Sequence, residues 1–152
     1  MSFQFVEQLE SRQLLAAHTV LSLNNGWRFI RQNVVGASAK AFNDAAWQQV
    51  SVPHTWNGTD AQDGGNNYFR GETWYRKKYT IPTAHTGQQF HLRFEGVGQS
   101  AEVWINGSRA GSHAGAFSAF TFDVNPFVKV GQSNTIAVKV SNAFSNDMVP
   151  VE

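Results

Sequence analysis

Apolar and polar residues alternate along much of the chain. In two segments every second residue is large and apolar: Phe90, Leu92 and Phe94 in the first, and Ile136, Val138 and Val140 in the second. Shorter runs of the same kind lie at residues 74–81, 103–105 and 120–124. A period of two residues is typical of strands with one buried face. The pattern therefore predicts β-strands from residue 74 to residue 141.

Turn residues separate these runs at short intervals. Asn106-Gly107 is a dipeptide that favours a type I′ hairpin, because both positions tolerate positive φ. Residues 111–115, which contain two glycines, are also expected to form a turn. One short helical turn is expected where Asn43-Asp44 caps residues 45–47 and folds Trp47 onto the core. Short strands between turn signals predict an all-β fold, a jelly-roll β-sandwich.

Composition and charge narrow the classes of function. The chain has 152 residues, enough for one domain with its own core, and a net charge of +1, which does not suggest a nucleic-acid partner. It has no cysteine, so disulfides and thiolate metal sites are excluded. The histidines, His54 and His113 among them, show no metal-ligand spacing. No apolar run is long enough to span a membrane, and no cofactor is expected.

Several short segments, taken in order, resemble one family. They are residues 23–29 (LNNGWRF), 42–47 (FNDAAW), 52–57 (VPHTWN), 63–71 (DGGNNYFRG), 74–77 (WYRK), 94–97 (FEGV), 101–107 (AEVWING), 111–115 (GSHAG), 120–123 (FTFD) and 134–140 (NTIAVKV). Together they resemble the N-terminal sugar-binding domain of family 2 glycoside hydrolases, which include the β-galactosidases. The resemblance covers residues 21–152, and the segment 63–71 leans towards the β-galactosidase branch.

The resemblance implies a jelly-roll sandwich of the galactose-binding type and a non-catalytic role. In the family, an immunoglobulin-like domain and a (β/α)₈ barrel follow, and two glutamates of the barrel hydrolyse a β-glycosidic bond. A barrel needs about 250 residues, so this chain is too short to contain one. Glu95 and Glu102 are expected to be neighbours across a hairpin, and two exposed carboxylates beside a turn are better explained as a solvated face than as a catalytic pair.

Both ends of the chain depart from the family pattern. The sequence stops where relatives continue into a glycine-rich loop and a last strand, so the sandwich is expected to lack that strand and the chain to be a fragment. A stand-alone domain could instead close its edge with the N-terminal segment. Residues 1–20 are expected to be a tag or a disordered tail. Residues 7–15 resemble an LEPR-x-LL tag, with Ser11 in place of proline, which points to export.

Four polar side chains are the candidate sugar-binding residues: Asp63, Asn67, Arg70 and His113. Sugar hydroxyls donate and accept hydrogen bonds, which suits carboxylate, amide, guanidinium and imidazole groups. Asp63 and Asn67 lie in a long polar loop, residues 54–70, and loops of this length are often functional. Arg70 has an alternative role as a structural partner of Glu72, and His113 as an ordinary surface residue.

Three functions remain open from the sequence. The first is an accessory domain of a β-glycosidase, inactive alone, whose partners are a β-linked sugar and the parent enzyme's barrel and immunoglobulin-like domains. The second is a stand-alone, lectin-like carbohydrate-binding module, because one fold serves many functions. The third is a structural domain that docks against neighbouring domains or subunits.

Overall fold

Two antiparallel sheets make up the domain. A computed structural model describes the backbone of residues 2–8 and residues 19–54, 69–97, 100–115 and 119–143. The described strands are β1 (Ser2–Gln8), β2 (Thr19–Ser22), β3 (Trp27–Ile30), β4 (Gln48–Val50), β5 (Glu72–Thr80), β6 (Gln89–Glu95), β7 (Ser100–Ile105), β8 (Ser108–Ala114), β9 (Phe120–Asp123) and β10 (Ser133–Ser141). One 3₁₀ turn spans Thr83–His85. The small sheet has the order β2-β1-β6-β9 and the large sheet the order β4-β3-β5-β10-β7-β8.

The main core fills the space between the sheets. The small sheet contributes the alternating apolar residues of β6, and the large sheet contributes apolar residues from β3, β5, β7 and β10. Trp27, Tyr75 and Phe90 are among the largest fully buried side chains. The predicted strand patterns around Phe90 and Ile136 are confirmed, as is the all-β sandwich. Asn106 and Gly107 have φ values of 52° and 85°, as the type I′ prediction requires.

A second apolar cluster lies on the outer face of the large sheet. It contains Ala37, Trp47, Trp74 and Ala137, and Trp104 packs against it. The irregular segment 31–47 covers this face, so β10 is buried on both sides. The expected helix is only a single turn, in which Asn43 Oδ1 accepts a hydrogen bond from Ala45 N at 3.0 Å. Trp47 is buried as expected, but in this outer cluster rather than between the sheets.

The N-terminal segment contributes a strand, which differs from the tail expected for residues 1–20. β1 lies in the middle of the small sheet, where Gln4 pairs with Ser22 on one side and Arg93 on the other. The alternation of the chain from Phe90 to Phe94 did not reveal which strand would lie beside β6. Residues 144–152 lie outside the described residues, so the expectation that the sandwich lacks its last strand stays a prediction.

Residues 111–114 of the expected turn 111–115 are strand instead. Gly111 to Ala114 form the end of β8 and pair with β7 from Val103 to Ser100. A β-bulge shifts the register by one residue, because Trp104 faces Arg109 whereas Val103 faces Gly111. Glycine at position 111 allows the Phe122 ring to pack against the backbone of β8, because a Cβ here would lie 2.5 Å from Cε1 of Phe122.

Candidate functional site

Several strand ends of the large sheet meet at one end of the sandwich. The register pairs Ser141 with both Glu72 and Ser100, and Ser100 in turn pairs with Ala114. The start of β5, the end of β10, the start of β7 and the end of β8 are therefore aligned. We call residues 69–72, 100, 113–115 and 141–142 the rim. The segments 55–68, 98–99 and 116–118 lie outside the described residues.

Arg70 lies on the rim with an exposed side chain, just before β5. Asn142 holds the adjacent backbone: its Oδ1 accepts from Gly71 N at 2.8 Å, and its Nδ2 donates to the Phe69 carbonyl at 2.8 Å. Gly71 has a φ of 154°, and a Cβ there would lie 3.2 Å from the Phe69 ring. The backbone on both sides of Arg70 is therefore held by Asn142, while the residue itself is exposed.

His113 lies at the other side of the rim, at the mouth between the sheets. It pairs with Ala101, a residue of the main core, so it lies on the inner face of β8. Its half-buried ring stacks on Phe120, with centroids 3.9 Å apart and planes at 15°. Phe120 stacks in turn on Phe94, at 4.9 Å and 10°. This aromatic stack fixes the imidazole plane, although no pattern in the sequence indicated it.

The four candidate residues divide into two that the structure describes and two that it does not. Arg70 and His113 share the rim, but β10 and β7 lie between their strands, which separates the backbones by about 14 Å. Asp63 and Asn67 belong to residues 55–68 and lie outside the described residues, so their part in the site stays a prediction. Asn142, which sequence reasoning missed, follows β10 without any distinguishing pattern.

Glu95 and Glu102 are not neighbours, contrary to the sequence expectation. Glu95 lies in the small sheet with Arg93 3.2 Å away, and Glu102 lies in the large sheet with Lys139 3.0 Å away. The hydrogen bond from Lys139 holds the pKa of Glu102 below its ordinary value. A catalytic acid needs the opposite shift, so the surroundings of Glu102 oppose that role.

His54 has a structural environment that spacing did not indicate. Its Nδ1 lies 2.9 Å from the Tyr75 hydroxyl, and its ring packs against Phe29 with centroids 4.6 Å apart. Burial lowers the pKa of His54 and raises that of Tyr75. Across the described ranges, no three His, Asp or Glu side chains gather as metal ligands would. No helix in the same residues has the length and apolar character needed to cross a membrane.

The comparison with protein families gives a match over residues 20–150 to the model described as "Glycosyl hydrolases family 2, sugar binding domain". The chain belongs to this family. Among relatives of this sugar-binding domain, a beta-glucuronidase from Formosa agariphila is 39% identical over 82% of the chain and 14% of its own length. A beta-galactosidase from Bacteroides ovatus is 31% identical over 88% of the chain and 16% of its own length.

Solved structures agree with this assignment. The chain superposes on Bacteroides uniformis beta-glucuronidase with a TM-score of 0.80 and 38% identity, covering 87% of the chain and 15% of that protein. The sugar-binding domain thus spans less than a fifth of the length of the relatives described, in keeping with a non-catalytic role. The predicted family resemblance and sandwich fold are confirmed.

Proposed function

We propose that the rim is the sugar-contacting surface of this sugar-binding domain, with Arg70 and His113 as contacts and with Asp63 and Asn67 supplied by the segment 55–68. The observation that carries the proposal is the shared position of Arg70 and His113 at one end of the sandwich, where β5 begins and β8 ends. Sequence separation alone would not bring residues 70 and 113 to one surface.

The chemistry of the two described residues suits a sugar. The guanidinium of Arg70 presents several donors in a planar fork, and the imidazole of His113 offers one donor and one acceptor in its neutral form. Because His113 is stacked on Phe120, its ring nitrogens are held in a fixed plane. Such a group loses little conformational freedom when it binds a hydroxyl, which favours binding.

The ligand we propose is a β-linked glycoside. The relatives include proteins named beta-glucuronidase and beta-galactosidase, so a galactoside and a glucuronide are the two probes of choice. The proposed partners are the immunoglobulin-like and barrel domains of a parent enzyme, because the relatives are several times longer than the matched region. Their catalytic glutamates would complete the reaction, since retaining hydrolysis needs two carboxyl groups about 5–5.5 Å apart.

The test is an NMR titration of the 152-residue chain with methyl β-galactoside and methyl β-glucuronide. We expect saturable shifts at residues of the rim, with a Kd of about 1 mM for a single shallow site. Arg70→Ala and His113→Phe should each weaken binding by about tenfold, because each removes hydrogen bonds to the sugar. His113→Phe keeps the stack on Phe120, so it separates hydrogen bonding from packing.

Matched controls lie at the opposite end of the sandwich. His85 belongs to the 3₁₀ turn, and Arg109 lies near the start of β8, so His85→Ala and Arg109→Ala should leave binding unchanged. Binding that is lost equally in the controls, or shifts that avoid the rim, would contradict the proposal. The isolated chain should also release no nitrophenol from nitrophenyl β-galactoside or nitrophenyl β-glucuronide. Hydrolytic activity that co-purifies with the chain would disprove the non-catalytic role.

A further inference from the structure

A basic cleft lies on the outer face of the large sheet, between the segment 42–45 and strands β3 and β5. Its volume is about 330 Å³, within the range of small-ligand sites. The lining consists of Gly26, Arg28, Phe42, Asn43, Asp44, Ala45, Arg76, Lys77 and Lys78. Four of these described residues are cationic and one is anionic, so the lining carries an excess of positive charge.

Strand register brings the cations together. Arg28 of β3 lies directly opposite Arg76 of β5, and both point to the outer face because their neighbours Trp27 and Tyr75 point to the main core. Lys78 follows Arg76 by two residues and therefore shares its face. Like charges placed directly opposite each other in a sheet are unfavourable unless they are compensated.

The single carboxylate of the lining is already engaged. Asp44 Oδ2 lies 2.8 Å from Arg76 Nε, and Arg76 is fully buried. The same guanidinium also donates from Nη1 to the carbonyls of Ala37 and Ala39 and from Nη2 to that of Phe42. Arg76 and Asp44 thus neutralise each other and hold one wall of the cleft in place, which leaves Arg28, Lys77 and Lys78 to set its charge.

These three cations are all among the lining residues of the cleft. Arg28 Nη1 makes a long hydrogen bond, 3.3 Å, to the Trp47 carbonyl, and a guanidinium has five N–H donors in all. Lys77 Nζ donates to the Asn25 carbonyl, a neutral acceptor, and burial lowers the pKa of Lys77. Lys78 is exposed at the cleft's edge. A bound oxyanion would supply the negative charge that the described lining lacks.

We propose that this cleft binds a carboxylate or sulfate group carried by a ligand of about the size of one sugar ring. Arg28 would hold the anion through its planar fork, which matches the geometry of oxyanions. Lys77 and Lys78 would add charge from one side, and the Phe42 ring would give the ligand an apolar wall. The cleft is separate from the rim, because six residue steps along an extended chain, about 20 Å, separate Arg76 from Arg70.

The experiment is a titration of the full chain, at constant chloride concentration, with sodium sulfate, sodium glucuronate and glucose, followed by NMR. We expect saturable shifts around residues 26–28 and 76–78 with sulfate and with glucuronate, and none there with glucose. Arg28→Gln should weaken glucuronate binding by about tenfold, because a charge-assisted hydrogen bond is lost. Lys78→Gln should weaken it by about threefold, as for an exposed ion pair.

Lys129→Gln is the matched control, since Lys129 is exposed and lies outside the cleft. It should leave the affinity for glucuronate unchanged. Lys78→Gln keeps the test decisive if Arg28→Gln fails to fold, because Lys78 is exposed. Three results would each overturn the proposal. Glucose could shift the same residues as strongly as glucuronate, or the affinity for glucuronate could be unchanged in both cleft variants. Sulfate could also bind while glucuronate does not.

Discussion

At the scale of single residues, Arg76 anchors a covering segment outside the main core. Its fully buried guanidinium ties the segment 37–44 to the outer face of the large sheet through Asp44 and three backbone carbonyls. A buried charge is tolerated only when its donors are satisfied. The sequence motif WYRK marked this arginine as part of a family resemblance but did not indicate what it would bind.

Replacing Arg76 should be strongly destabilising. Arg76→Met leaves Asp44 and the three carbonyls without their partner, so we expect the free energy of unfolding to fall by about 3–5 kcal/mol in urea denaturation. Arg109→Met is the matched control, and its exposed ion pair with Glu102 should contribute at most about 1 kcal/mol. Equal effects of the two variants would show that Arg76 does not anchor the segment.

Gly111 offers a second test at this scale. The Cβ of Gly111→Ala would lie 2.5 Å from Cε1 and 2.8 Å from Cδ1 of Phe122, so the ring must move. Overpacking of this kind should reduce the free energy of unfolding by about 1–3 kcal/mol. A double-mutant cycle with Phe122→Leu measures the coupling between the two positions. If the two effects simply add, the clash with Phe122 is not the cause.

At the scale of elements, the sequence pattern predicted the strands that have one buried face. It did not predict the irregular segment that covers the outer face of the large sheet. β6 alternates strictly because one side faces the core, so its pattern is visible in the sequence. β10 is buried on both sides: Ala137, which lies between the alternating residues Ile136 and Val138, is covered by the segment 31–47. That segment has no regular period, because turns and the contacts of Arg76 hold it rather than a strand ladder.

The central position of β1 leads to a prediction for its backbone. Gln4 has neighbours on both sides, so a proline at this position removes a ladder hydrogen bond from the middle of the small sheet. We expect Gln4→Pro to reduce the free energy of unfolding by about 2 kcal/mol relative to Gln4→Ala, which keeps the N–H group. Thermal and urea unfolding of the two variants would measure this difference in the free energy of unfolding. Equal stability of the two variants would place residue 4 outside the sheet.

At the scale of the whole molecule, the strand order decides which candidate residues meet. Residues 70 and 113 reach the same rim because β5 begins there and β8 ends there, in the strand order β5-β10-β7-β8. No local pattern contains that order, so the sequence indicated which residue types suit a sugar, and the family resemblance supplied the positions. The stack of His113 on Phe120 likewise depends on β9 crossing to the other sheet.

Stability of the whole domain should depend on pH through His54. Burial lowers the pKa of this residue in the folded state below its ordinary value of 6.5, so the unfolded chain binds the proton more tightly. The stabilisation is complete above pH 6.5 and is lost as the pH falls from there through the folded-state pKa. Urea denaturation between neutral and mildly acidic pH measures this, and His54→Gln should flatten the profile. An unchanged acid-side loss in the variant would assign it to another group.

Asn142 couples two parts of the rim that are far apart in the sequence. Its side-chain amide forms hydrogen bonds with the backbone of residues 69 and 71. Its backbone N–H donates to the Gly71 carbonyl at 3.2 Å. The stretch leading into β5 and the stretch leaving β10 are therefore mechanically linked. A ligand that shifts residues 69–71 must therefore either carry Asn142 with it or break three hydrogen bonds.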